Sequence, residues 1–124
     1  MASPAANAII AGHRANAQLR GARILYARGD ARIDLPAAFG NTEYAVDAAG
    51  AVRIEHTDRD FIFEAAEFVL QGELATPQIG DRITVIGDDG AYDGVFEVMA
   101  PPGLQCYHLS GQGILVRVHG KRVQ

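Results

Sequence analysis

The pattern of apolar and polar positions changes period once along this chain. From Pro4 to Arg20 the apolar residues Ala6, Ile9, Ile10 and Ala17, with His13 beside them, recur at helical spacing. Ser3 followed by Pro4 suits an N-cap and first helical position, because Ser accepts a free backbone N–H and Pro lacks one. Gly21 is the expected left-handed residue after the helix, with Arg20 near the negative end of its dipole. The apolar face is small and flat, so the helix is expected to lie on the side of a larger body, or to hold a second face for a partner subunit.

After Gly21 the period becomes 2. Ile24–Tyr26 and Ile33–Leu35 flank the turn Gly29–Asp30, and Val52 and Ile54 precede Phe61 and Phe63 across His56–Thr57–Asp58, so each pair is read as a hairpin. Arg82–Ile86 and Gly94–Met99 flank Gly87–Gly90, Pro101–Gly103 breaks the chain, and 105–109 with 113–119 supplies the last strands. Two segments stand outside this scheme. Residues 36–50, with Phe39 and Tyr44, are read as a long loop of the kind that often meets partners, and 64–77 as a helical turn or strand. The pattern predicts a mainly β protein: a small antiparallel β-barrel or sandwich of seven to eight strands preceded by one N-terminal α-helix. A single domain covers 1–124, with the helix over 1–21 and the barrel over 22–124.

Composition narrows the function classes. A chain of 124 residues, 48% hydrophobic and 21% charged, forms one soluble domain that buries roughly two-thirds of its unfolded surface. The net charge of −4 hides a segregation. Residues 1–40 carry five Arg against Asp30 and Asp34; residues 41–99 carry thirteen acids against three Arg; residues 100–124 carry Arg117, Lys121 and Arg122 and no acid. Such an acidic total disfavours sequence-specific DNA binding as the main task. Cys106 is the lone cysteine, so the core must stabilise the fold, and a reducing cytoplasm is the expected place of synthesis. Met1–Pro4 lacks a charged leader and no apolar run approaches the ~18 residues of a membrane span, so neither export nor membrane insertion is expected.

Candidate chemistry is sparse. Cys106 and His108 would share a strand face, the minimum for a nucleophile and its base, but no oxyanion donors are predicted beside them, and a packed, inert thiol is the simpler reading. His56, Asp58 and Asp60 alternate in a turn, and His108 and His119 sit on neighbouring strands, without a complete metal-ligand spacing. Asp88–Gly94 lacks the distant bidentate Glu of a calcium loop, and Gly111–Gln112–Gly113 lacks the third glycine and parallel β-α-β context of a dinucleotide site. No catalytic residue, cofactor or metal is expected, so an enzyme is disfavoured. A competing class is a stand-alone ligand-binding barrel with Tyr92, Tyr107 and His108 around its mouth.

Val52–Glu55, Pro77–Gln78–Ile79–Gly80–Asp81–Arg82–Ile83, Val95–Val98 and Cys106–Gly113, with the Ala/Arg-containing helix before them, are similar in order and spacing to the small head-tail joining proteins of tailed bacteriophages, those of lambda-like phages in particular. The likeness covers most of the chain. The closing segment Val116–Arg122, a better strand than expected, and the 36–50 segment depart from it.

The resemblance implies a structural virion protein of the neck, made in the bacterial host cytoplasm. It would join the portal side of a DNA-filled head to the tail and pass double-stranded DNA through its lumen. Implied partners are copies of itself in a hexameric or dodecameric ring, a portal or adaptor protein, and a tail-tube or tail-terminator protein. A tail-completion or tail-terminator ring subunit is the nearest alternative. Docking between subunits or to portal and tail is then expected at Ile9, Ile10, Arg14, Arg20, Arg23, Phe39, Tyr44, Arg117, Lys121 and Arg122, where complementary charge would steer association. Glu55, Asp58, Asp60, Asp88, Asp89 and Asp93 are the acids expected to line the lumen and repel phosphate.

Overall fold

The computed structural model describes residues 4–87 and 90–124. Ser3, with its expected capping role, and Asp88 and Asp89 lie outside the described residues, as do the side chains of Ala17 and Arg20. Helix α1 (Pro4–Arg20) leads directly into β1 (Gly21–Arg28). Gly21 is thus the first residue of a strand and is not among the residues with positive φ, so the expected left-handed cap is replaced by an immediate turn into the sheet.

The remaining strands are β2 (Ala31–Gly40), β3 (Glu43–Ala48), β4 (Ala51–His56), β5 (Arg59–Glu64), β6 (Val69–Leu70), β7 (Glu73–Leu74), β8 (Arg82–Ile86), β9 (Tyr92–Val98), β10 (Tyr107–Ser110) and β11 (Leu115–Arg122), with a 3-10 turn at Ala65–Glu67. Seven of them form one antiparallel sheet in the order β10-β11-β5-β2-β1-β8-β9, and pairing of β11 with β9 closes six of these into a barrel with β10 added outside. Mainly β with one leading helix is therefore the fold, and it is a barrel. Two hairpins, β3–β4 and β6–β7, bring the described strands to eleven.

Closure happens at Gly120. Residues 115–120 of β11 pair with β5, and 120–122 pair with β9, so the strand must bend where its partner changes. A Cβ there would lie 3.0 Å from the Phe61 ring and 3.1 Å from the Arg59 carbonyl oxygen. A side chain at this corner would force the Phe61 ring and the Arg59 carbonyl to give way. Gly120→Val is expected to cost about 2 kcal/mol by overpacking, lowering the unfolding midpoint by about 6–10 °C in thermal denaturation.

The interior follows from strand alternation. Ile24 and Tyr26, Phe61 and Phe63, Ile83 and Val85, Phe96 and Val98, and Val116 and Val118 all point inward two residues apart. Phe61 meets Phe96 edge-on at 5.2 Å between centroids, and Tyr26 meets Phe68 at 4.6 Å. Phe68 enters from the 3-10 turn after β5, so the 64–77 segment is a turn and a small hairpin that together plug the barrel.

Two hairpin expectations need correction. Residues 36–50 are not a loop: β2 runs on to Gly40, and 43–48 is a strand. Val52–Glu55 pairs with that strand rather than with Phe61–Phe63, which lie between β2 and β11. The β3–β4 hairpin therefore leaves the barrel as an arm, paired in the described structure only to itself.

Helix α1 lies on β1 and β2, with Ile9 against the turn glycine Gly111. His13 is 6% exposed and its Nε2 has no hydrogen-bond partner. Burial pushes its imidazole below the ordinary value despite the attraction of Glu64, and so favours the neutral ring. Replacing a buried, half-satisfied polar ring by an apolar side chain removes a desolvation cost. His13→Leu is expected to stabilise the protein by about 1 kcal/mol, seen as a rise of about 4 °C in the unfolding midpoint.

Candidate functional site

The arm is the feature that the barrel does not explain. Its register places Tyr44 opposite Glu55, Val46 opposite Arg53, Ala45 opposite Ile54 and Asp47 opposite Val52. Directly opposed residues share a face, so Ala45, Ile54 and Val52 line one side of the ribbon, with Glu43 and Asp47 beside them. Val52 is 71% exposed and Ile54 63% exposed. A lone two-stranded ribbon is marginally stable in water, and its outer N–H and C=O groups are free to pair with another chain.

What holds the arm to the barrel is a buried carboxylate. Asp60, 0% exposed, sits on the outer face of β5 between Gly40 of β2 and His119 of β11. Its Oδ1 accepts from Thr57 Oγ1 at 2.8 Å and His119 Nδ1 at 2.8 Å. Its Oδ2 accepts from Arg117 Nε at 2.7 Å and from the Thr42 hydroxyl. Thr42 and Thr57 flank the first and last residues of the arm and exchange backbone and side-chain bonds of 2.9 Å with each other. Arg117 also reaches the Asn41 carbonyl at 2.8 Å. Its guanidinium lies over Gly40, where a Cβ would approach it to 2.7 Å. Burial by itself would push the Asp60 carboxyl up; hydrogen bonds from His119, Thr42, Thr57 and Arg117 outweigh it and hold the group far below the usual carboxylate range. The base of the arm is thus clamped by one ionised residue.

A second buried carboxylate organises the turn before β8. Asp81 accepts the Tyr26 hydroxyl, the Gln78 backbone N–H at 2.9 Å, and both Arg28 nitrogens, Nε at 3.0 Å and Nη2 at 2.8 Å. Burial and this bond push the Tyr26 phenol well up, so it remains a donor. Gly80, at φ +94°, makes the turn possible, which is the physical content of the Pro77–Ile83 motif. A third, Glu64 at the end of β5, takes a fork from Arg14 of α1 at 3.1 and 3.2 Å. Burial opposes its charge, but bonds from Glu67 and Arg14 keep it low, and Glu67, sharing that bond, is pushed up.

These pairs revise the charge reading. Arg14, Arg28 and Arg117 from the basic ends neutralise Glu64, Asp81 and Asp60 from the acidic middle inside one protomer. Segregation along the sequence is therefore partly consumed by folding.

The expected docking residues are scattered. Ile9 and Ile10 are half-buried on α1, Arg23 is exposed but paired with Asp34 at 2.7 Å, and the Arg20 side chain lies outside the described residues. Phe39 packs edge-on against Phe61 under the Arg59 guanidinium, so it belongs to the barrel. Tyr44 is half-buried on the arm, its hydroxyl 3.5 Å from Glu55. Arg117 is committed to Asp60; Lys121 is exposed; Arg122 donates its backbone N–H to Asp58 at 2.8 Å. Among the expected lumen acids, Asp60 is enclosed and cannot face a lumen, and Glu55 is paired with Arg53 at 2.6 Å. Asp58 and Asp93 are exposed, and Asp88 and Asp89 lie outside the described residues.

Cys106 and His108 do not form a nucleophilic pair. The thiol is buried, donates to the Pro77 carbonyl at 3.6 Å and is pushed up by burial, away from the reactive thiolate, while His108 faces solvent. His108 and His119 do face each other, 5.8 Å between ring centroids, but Nδ1 of His119 serves Asp60. Among the described residues no three His, Cys, Asp or Glu side chains gather as a metal site. Tyr107 and His108 line a groove of about 660 Å³ beside β10, together with Leu104 and Leu109; Tyr92 is elsewhere, on β9.

Fold and site together define a small structural β-barrel with a clamped, outlying hairpin. The chain belongs to the phage head-tail joining protein family, which it matches over residues 5–124. It is therefore a structural component of the virion, with a role at the junction of head and tail, and membership argues against an enzyme. No helix is long and apolar enough to cross a membrane among the described residues. No curated protein and no solved structure matches the chain.

Proposed function

We propose that the chain is a ring-forming subunit of the phage neck, set between the portal side of the filled head and the tail, with DNA passing through the ring. The observation that carries this reading is the β3–β4 arm. A barrel that needed only to fold would not hold exposed Val52 and Ile54 on a free ribbon and then fix that ribbon with a buried, fully bonded Asp60. A clamp of this kind aims a surface at a partner. Closed rings repeat one heterologous contact, so an arm on one side and a receiving surface elsewhere on the same chain are what they require.

In this reading Asp58 and Asp93 are, of the acids expected to line a lumen, the exposed ones among the described residues, and negative charge there keeps phosphates moving rather than bound. Purified protein mixed with tailless filled heads and isolated tails is expected to yield joined particles in electron micrographs. Heads and tails that remain separate at every protein concentration would contradict a joining role.

A further inference from the structure

We propose that α1 is a pH-gated strap: it lies docked on the barrel while the His13 ring is neutral and leaves it, with the barrel still folded, when the ring takes up a proton. The inference goes beyond the neck reading and does not depend on it.

A surface helix is ordinarily anchored by apolar side chains. This one is anchored at its middle by an imidazole. Among the described side chains of α1, His13 is the buried one; Ala6, Ile9 and Ile10 are half-buried and the others are exposed. At 6% exposure its Nε2 has no hydrogen-bond partner. A neutral ring can leave one nitrogen as an idle acceptor, whereas a protonated ring carries a donor on both nitrogens and a full charge. Burying the second form without an acceptor costs far more than burying the first.

The surroundings do not supply that acceptor. Glu64 of β5 attracts a charged His13, but both its oxygens already accept from Arg14, at 3.1 and 3.2 Å, and it shares a further bond with Glu67 of the 3-10 turn. Arg14 itself sets a like charge beside the ring. The strands under the helix bring Arg23 and Asp34, which pair with each other at 2.7 Å, Arg28, which serves Asp81, and exposed Arg32. Burial accordingly outweighs the pull of Glu64 and lowers the His13 value.

The released ring titrates near the ordinary 6.5 and the docked ring below it. Docking is therefore at full strength above about pH 6.5 and is lost progressively as pH falls below that. Glu67, pushed up from 4.5, is the carboxylate of the cluster that can approach this window, and Glu64, held down, stays below it. The barrel does not need the helix for its hydrogen bonds. β1 begins at Gly21 and is paired with β2 on one side and β8 on the other, and closure lies at β11–β9. A free helix of this length is marginal in water, and Gly12 at its middle weakens it further, so release also frays it.

Hydrogen exchange at pH 7.5 and 5.5, corrected for intrinsic rates, tests this in the unaltered protein. Protection of the α1 amides is expected to fall by at least about threefold between the two, against a ceiling of about elevenfold for a ring that titrates at 6.5 when free. The strands β1, β2, β5, β8, β9 and β11 should keep theirs. His13→Leu should hold α1 protection level across the range, and Glu67→Gln should show the same fall as the unaltered protein. Imidazole NMR needs no variant: His13 should titrate below 6.5. A smaller fall in the unaltered protein, the same fall in His13→Leu, its loss in Glu67→Gln, barrel strands that lose protection together with α1, or a His13 titration at or above 6.5 would each overturn the proposal.

Discussion

Replacing Asp60 with alanine should lower the midpoint of thermal unfolding by about 10–15 °C, the largest effect expected of any single substitution outside the aromatic core. The reason lies in the number of groups it serves. Asp60 satisfies Thr42, Thr57, Arg117 and His119 at once, from a position with no solvent access. Removing it leaves a guanidinium and an imidazole in an enclosed site without their acceptor, a loss of about 3–4 kcal/mol. Amide exchange adds a second readout, since the arm base at 41–43 and 56–58 should lose protection beyond what global destabilisation accounts for. A midpoint within about 3 °C of the unaltered protein would mean that the clamp is not structural.

The same residue sets the acid limit. Its folded-state value is depressed below the ordinary carboxylate value of 3.8, so the unfolded chain takes up the proton first as pH falls. Asp60 therefore contributes its full stability above about pH 5, and that stability is lost progressively as pH drops through 3.8 toward the folded-state value. The Asp60→Ala protein should show a flatter dependence of stability on pH in this acid window.

Joining should fall by about tenfold or more when Val52 and Ile54 are both changed to glutamate, although the protein itself folds normally. Both side chains are more than half exposed, so the monomer's midpoint should move by no more than a few degrees. Any partner surface that buries the ribbon would have to take in two carboxylates, adding to Glu43 and Asp47 on the same face. Counting joined particles against separate heads and tails reads this directly. Full joining activity in the double variant would remove the arm from the assembly surface and leave the family role to another part of the molecule.

How far the sequence predicts this structure varies by element. Gly29–Asp30 between two alternating runs marks β1–β2, and Gly87–Gly90 marks β8–β9, because each hairpin has one face in the core and a turn that needs glycine. The arm is hidden for the opposite reason. With both faces outside the core, Tyr44 and Val46 show only a faint alternation among alanines, and nothing in the pattern says whether Val52–Glu55 should pair forward with Phe61–Phe63 or backward with Glu43–Ala48. Asp60 is misread as a lumen acid because burial of the outer face of β5 depends on register. Only the pairing Gly40–Asp60–His119, with Gly40 leaving room for Arg117, creates the enclosed site. The segregated charge is visible from the start, but ion pairs fifty or more residues apart, such as Arg14 with Glu64 and Arg117 with Asp60, appear only once the chain is folded.

The neck assignment is tested most directly by a cryo-electron-microscopic reconstruction of the joined particle at a resolution that places single strands. The account predicts a closed ring of these barrels between portal and tail, each β3–β4 arm lying against a neighbouring molecule. A neck whose density leaves no place for the barrel, or barrels that meet without their arms, would contradict it.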